Sequence, residues 1–105
     1  MTLSEQQTSD LVSRIVAAVH PDRVILFGSL VRGEAGPNSD IDLLVVAPEG
    51  CHRRKTAQVI YRALWGFGLS VDVIVALPSD LDLYGESPAL IYQQALREGR
   101  ELYAA

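Results

Sequence analysis

Residues 23–47 read RVILFGSLVRGEAGPNSDIDLLVVA, and this stretch decides the fold. Arg23 to Phe27 is apolar and β-branched, and Gly28 ends it, so it reads as a strand. Ser29 to Ser39 is small and polar, with Gly33, Gly36 and Pro37 breaking any long helix. Asp40 to Ala47 is a second strand, closed by Pro48 and Gly50. The link between the two strands is about a dozen residues, barely enough for a parallel crossover. An antiparallel pairing is at least as compatible with it.

Working outward, Ser4 or Thr2 caps a first helix that reaches His20. Leu11, Val12, Ile15, Val16 and Val19 recur there at helical spacing, and Pro21 stops the run. His52 to Phe67 reads as a second amphipathic helix. Ile60, Ala63, Leu64 and Phe67 form its apolar face, and Arg53, Arg54, Lys55 and Arg62 face solvent. His52-Arg53-Arg54-Lys55 places cations at a helix N-terminus, where the dipole disfavours them. Tyr61, Trp65 and Phe67 belong to the core or to an interface. Ser70 to Leu77 is a third strand, stopped by Pro78. Pro88 fits the first turn of a last helix running to Glu98, with Gly99 beyond it. Glu101 to Tyr103 adds a short edge strand. The order predicts an α/β (α+β) fold, a small mixed sheet of three to four strands flanked by helices, in one domain over residues 1–105.

Nine Lys+Arg stand against thirteen Asp+Glu in 105 residues, a formal charge of -4. With 49% hydrophobic residues the chain is globular rather than disordered. Scaling predicts a folded surface of roughly 5,800 Å² against about 16,500 Å² unfolded, enough burial for one core. A pI near 5.0 argues against strong non-specific nucleic-acid binding, which needs a basic surface. The one cysteine, Cys51, cannot close an internal disulfide, so no oxidising compartment is indicated. No apolar run is long enough for a bilayer, and Met1 to Gln6 lacks a signal pattern, so a cytoplasmic location is expected. A mean hydropathy of +0.17 predicts an exposed apolar patch on the last helix (Leu90, Ile91, Tyr92, Leu96) and Tyr103.

Three aspartates break the pattern of the apolar strands. Asp40 and Asp42 flank Ile41, and Asp72 lies between Val71 and Val73. Residues two apart on a strand share a face, so Asp40 and Asp42 emerge together. Like charges that close need protons, arginines or metal ions to offset them. A carboxylate cluster suits Mg²⁺ or Mn²⁺, and no Cys or His cluster for zinc is present. Upstream, the Gly28-Ser29 turn after a buried strand offers backbone N–H groups and a hydroxyl to a phosphate. Ser39 is a turn residue, and Arg32 either reaches phosphate or lies in solvent.

The stretch LFGSLVRGEAGPNSDIDLLVV carries G-S, ten intervening residues and D-x-D. It resembles the signature of the DNA polymerase β-like nucleotidyltransferase superfamily, closest to its minimal prokaryotic branch of MntA-like antitoxins in HEPN/MNT pairs. SVDVIVA is similar to the family's third-aspartate strand and ALIYQQALREGRELY to its closing helix. Leu30 departs from the pattern, which often has a basic residue there, while Arg32 and Gly33 keep it. The resemblance implies that Asp40, Asp42 and Asp72 are catalytic and hold two divalent cations, Mg²⁺ or Mn²⁺. Gly28, Ser29 and Arg32 would bind the nucleotide. It further implies an enzyme transferring AMP from ATP to a hydroxyl, on a tyrosine of a cognate HEPN ribonuclease toxin. Two other readings stand beside it: a non-catalytic module neutralising a partner by contact, and a small-molecule nucleotidyltransferase. Three carboxylates in apolar strands weigh against the first, and the lack of a substrate domain against the second.

Overall fold

The computed structural model describes residues 2–87 and 90–105. Its elements run α1 (Glu5–Val19), β1 (Arg23–Phe27), α2 (Ser29–Arg32), β2 (Ile41–Val46), α3 (Arg53–Ala63), β3 (Val71–Ala76), α4 (Pro78–Tyr84), α5 (Ile91–Glu98) and β4 (Arg100–Ala104). The strands form one mixed sheet in the order β3-β2-β1-β4. β1 and β2 pair antiparallel, with Arg23 opposite Val46 and Phe27 opposite Asp42. β2 and β3 are parallel and place Asp42 beside Asp72. β4 runs antiparallel to β1, with an irregularity between Val24 and Ile25. The mixed, four-stranded sheet and the antiparallel first pair agree with the reading of residues 23–47.

Alternation along the strands sorts their side chains into two cores. Ile41, Leu43 and Val45 join Val24, Leu26, Val73 and Val75 beneath Leu11 and Ile15 of α1 and Ile60 of α3. The intervening residues Ile25, Phe27, Leu44 and Ala76 meet Ala95 of α5 on the opposite face. The sheet is thus covered on both faces. No helix among the described residues is long and apolar enough to cross a membrane.

Ser4 caps α1 as expected, its hydroxyl accepting the N–H of Gln7 while the Gln7 side chain accepts the N–H of Ser4. The second long helix, α3, is shorter than the sequence suggests. It ends at Ala63, and Gly66 and Gly68 follow with positive φ. Arg14 of α1 donates to the carbonyl oxygens of Ala63 (3.2 Å) and Trp65 (2.8 Å), satisfying the acceptors that the helix end leaves open. Phe67 packs against the core, but Trp65 is 87% exposed and is no core residue.

Pro78 stops β3 and also opens α4, a helix the sequence reading does not contain. Pro at the first helical position and Asp two residues later are the signals that support it. Asp80 is buried, accepts the N–H of Leu77 at 2.8 Å, and receives both Nε (2.8 Å) and Nη2 (2.5 Å) of Arg53. Arg53 is exposed as expected but paired rather than free, and this carboxylate offsets its position at the start of α3. His52 caps α3 through Nδ1, which accepts the N–H of Lys55 at 3.2 Å. The expected opening of the last helix at Pro88 lies outside the described residues, and the described part begins at Ile91. Leu90 and Ile91 are exposed as expected. Tyr92 and Leu96 instead pack on the α5 core and Tyr103 on the other, because α5 turns its apolar face to the sheet. Exposed apolar surface lies also on Leu83, Tyr84 and Trp65.

Candidate active site

Strand pairing creates the site. Because β1 and β2 are antiparallel, the end of β1 and the start of β2 meet at one end of the sheet, which brings Gly28 to Asp42. Gly28 is buried, with φ 83 and ψ -155, a backbone region essentially confined to glycine. A Cβ there would collide with Oδ2 of Asp42. Glycine is required at this point both by conformation and by the carboxylate above it.

Asp42 alternates with Leu43, so it shares its face with Leu44, the face that α5 covers farther along. It is half-buried, while Asp40 and Asp72 are exposed. Burial pushes the Asp42 carboxyl above its ordinary range, and the neighbouring charges of Asp72 and then Asp40 push the same way. Arg32 opposes them. The cross-strand neighbour thus outweighs the one two residues along the chain. Asp40 precedes β2 rather than lying in it, so the alternation expected to align it with Asp42 operates only partly.

The link between the strands is organised by its own turns. α2 is a single turn, ended by Gly33 at φ 74, with Glu34 N–H bonded to Ser29 O at 2.9 Å. Ser39 closes the next turn, its hydroxyl accepting from Gly36 N–H at 2.9 Å. Leu30 and Val31 pack against the α1–α3 core, which accounts for an apolar residue at position 30. Ser29 is half-buried at the start of the turn. Arg32 is exposed and tied to Glu34 at 3.1 Å and to Glu98 of α5 at 3.4 Å. It stands close enough to act on Asp42 while being held by two carboxylates of its own.

One neighbour of the site is not legible as such in the sequence. The Tyr61 hydroxyl, on α3, accepts the N–H of Val73 at 2.8 Å and reaches Oδ1 of Asp72 at 3.4 Å. Nothing in the spacing of Tyr61 and Asp72 signals this, because it depends on how α3 lies along β3.

The donor set fits a hard cation: all carboxylate oxygens, anchored on Asp42 and Asp72 in register, with charge that Arg32 offsets only in part. Among the described residues, however, no three His, Cys, Asp or Glu side chains stand close enough together to hold an ion. What fits is the chemistry and the charge of the group.

Comparison with known proteins reaches the same region. A protein of Methanocaldococcus jannaschii that bears the provisional name of a protein adenylyltransferase is 33% identical over 72 residues, 64% of this chain and 49% of that one. The aligned segment spans about half the length of that relative. A solved structure provisionally described as a minimal nucleotidyltransferase superposes with a TM-score of 0.61 at 28% identity, covering 91% of this chain and 92% of the other. A complex of the tri-AMPylated Shewanella oneidensis HEPN toxin with MNT antitoxin contains a chain with a TM-score of 0.66. That likeness covers 98% of this chain and 74% of the other at 14% identity, and it shows the fold. The nucleotidyltransferase domain model itself matches residues 7–100, from within α1 to the start of β4, taking in the Gly28 turn and all three aspartates. This chain belongs to the nucleotidyltransferase domain family.

Proposed function

We propose that the chain transfers AMP from ATP to a hydroxyl, with Asp40, Asp42 and Asp72 as the reacting end of the sheet. The observation that carries this reading is the Gly28–Asp42–Asp72 arrangement. A glycine turn lies against one carboxylate, and that carboxylate stands in register with another. Gly28 lets the backbone approach a phosphate, and Ser29 donates its hydroxyl to it. Arg32 adds positive charge from the same side. Asp72, exposed on the edge strand, orients the attacking hydroxyl and accepts its proton. Asp40, Asp42 and Asp72 would hold divalent cations, which when bound neutralise the triphosphate and stabilise charge at phosphorus. Three carboxylates carry -3, so an acidic chain attracts a triphosphate only when such cations offset them.

The acceptor we assign to this activity is a tyrosine of a cognate HEPN-domain toxin, so that transfer makes the chain an antitoxin in the cytoplasm. Support comes from the family membership and from the adenylyltransferase and HEPN–MNT proteins to which the chain is similar. A folded partner would supply its own surface and orient its hydroxyl. The test is incubation with each α-labelled nucleoside triphosphate, Mg²⁺ and the HEPN-domain protein encoded beside it. Mass analysis should find adenylyl groups on a tyrosine of that protein, from ATP only. Free nucleotide with an unmodified partner would overturn the reading.

A further inference from the structure

We infer that Tyr61 is a positioning residue for Asp72: its hydroxyl, fixed on the backbone of β3, holds that carboxylate in the orientation that receives the acceptor. The inference rests on the role proposed for Asp72. β3 is an edge strand with β2 on one side only. Ser70 and Ala76 give their carbonyl oxygens to Ile41 and Ala47, so the alternate residue Val73 turns its N–H to the open edge. Tyr61 comes from α3, on the face of the sheet opposite the Asp42 carboxylate, and reaches around this edge. Its oxygen accepts the Val73 N–H at 2.8 Å, which fixes the oxygen and leaves one O–H to donate.

Two acceptors lie within reach of that proton, Asp72 Oδ1 at 3.4 Å and the Val73 carbonyl oxygen at 3.5 Å. The carboxylate is the stronger acceptor because it is charged. Among the described residues, Tyr61 is the one side chain that hydrogen-bonds Asp72. Without it, Asp72 is an exposed carboxylate free to turn about two torsions. The consequence falls chiefly on turnover, because the orientation of Asp72 matters to the acceptor, while Y61F leaves its carboxylate in place to share in holding cations and the nucleotide is met at Gly28 and Asp42.

Two measurements on Y61F, which keeps the ring, test this. In the free protein, the Hα–Hβ couplings of Asp72 should be unequal in the wild type and averaged in Y61F, with the melting temperature lowered by no more than about 8 °C through the lost Val73 N–H bond. Unequal couplings retained in Y61F would overturn the inference whatever the activity. In AMP transfer from α-labelled ATP to the HEPN-domain toxin, Y61F should lower kcat about three- to tenfold and leave KM for ATP within about twofold. In a D72N background the same substitution should cost nothing further, since it acts through the missing carboxylate. Wild-type kcat in Y61F, or an equal further loss on top of D72N, contradicts positioning. Failure of D72N itself to lower turnover would instead overturn the role of Asp72, and the inference with it.

Discussion

Asp42 and Asp80 lie at opposite ends of the same pair of strands and solve opposite problems. Asp80 is buried where β3 ends, and both edges of its carboxylate are used, by Arg53 and by the Leu77 N–H. The Arg53 hydrogen bond holds its carboxyl below the ordinary range, with the Leu77 N–H helping and burial opposing. Asp42, where β2 begins, has the start of a core beneath it, two carboxylates beside it and one partly committed arginine. Its carboxyl is pushed up instead. The chain is able to neutralise an aspartate inside its own fold, as Asp80 demonstrates. At Asp42 it does not, and the proposed function would complete that end with cations.

The largest effect expected from this contrast is on catalysis. D42N keeps the shape but removes the charge at the centre of the site. It should lower AMP transfer by about 10³-fold and raise the melting temperature slightly by relieving repulsion. Transfer at the wild-type rate would break the comparison. Next comes G28A, which forces a side chain into a glycine-only conformation and against Asp42. It should cost about 2 kcal/mol in urea unfolding. A neutral result would mean that the turn and carboxylate are not in contact. D80A should cost about 1–2 kcal/mol through the lost bond to the Leu77 N–H, while the folded fraction keeps its kcat. Loss of kcat there would show that the two ends are coupled.

The smallest effect is the sharpest in sign. A carboxyl raised in the folded state favours folding below its unfolded pKa, and that contribution is lost as pH rises through the folded value. A depressed carboxyl contributes above its unfolded pKa, and loses that contribution as pH falls through the folded value. At pH 7, D42N should therefore be more stable than the wild type and D80N less stable. On acidification the D42N gap should close first, and the D80N gap only below the ordinary carboxylate range. Chemical denaturation at a series of pH values reads both. Gaps of the same sign would contradict the assignment of the two environments.

Much of the candidate site is legible because it is local. Gly28, Ser29, Asp40 and Asp42 belong to one strand–turn–strand unit, and the length of its link is at least as compatible with the antiparallel pairing as with a parallel one. Asp72 could be found because a carboxylate between valines violates the pattern of its own strand. What escaped depends on tertiary placement. Arg53 and Asp80 are 27 residues apart, so nothing in the sequence joins a cation at one helix start to an acid at another. The cap of α3 comes from Arg14 of a different helix, which donates to the carbonyl oxygens of Ala63 and of Trp65 just beyond it. Trp65 falls beyond the end of α3 and is exposed, which excludes the core and leaves the interface of its two expected places. Local signals do exist for two of the differences: Pro78 and Asp80 mark the start of α4, and Gly66 and Gly68 mark the early end of α3.

The central claim is that the Asp42 end awaits cations and a triphosphate, and the melting temperature reads it most directly. With Mg²⁺ and ATP at about a hundredfold excess over Kd, linkage predicts a rise of about 10 °C for the wild type. D42N under the same conditions should not move. A wild-type melting curve unchanged by saturating Mg²⁺ and ATP, or a D42N curve that rises as far, would contradict the claim.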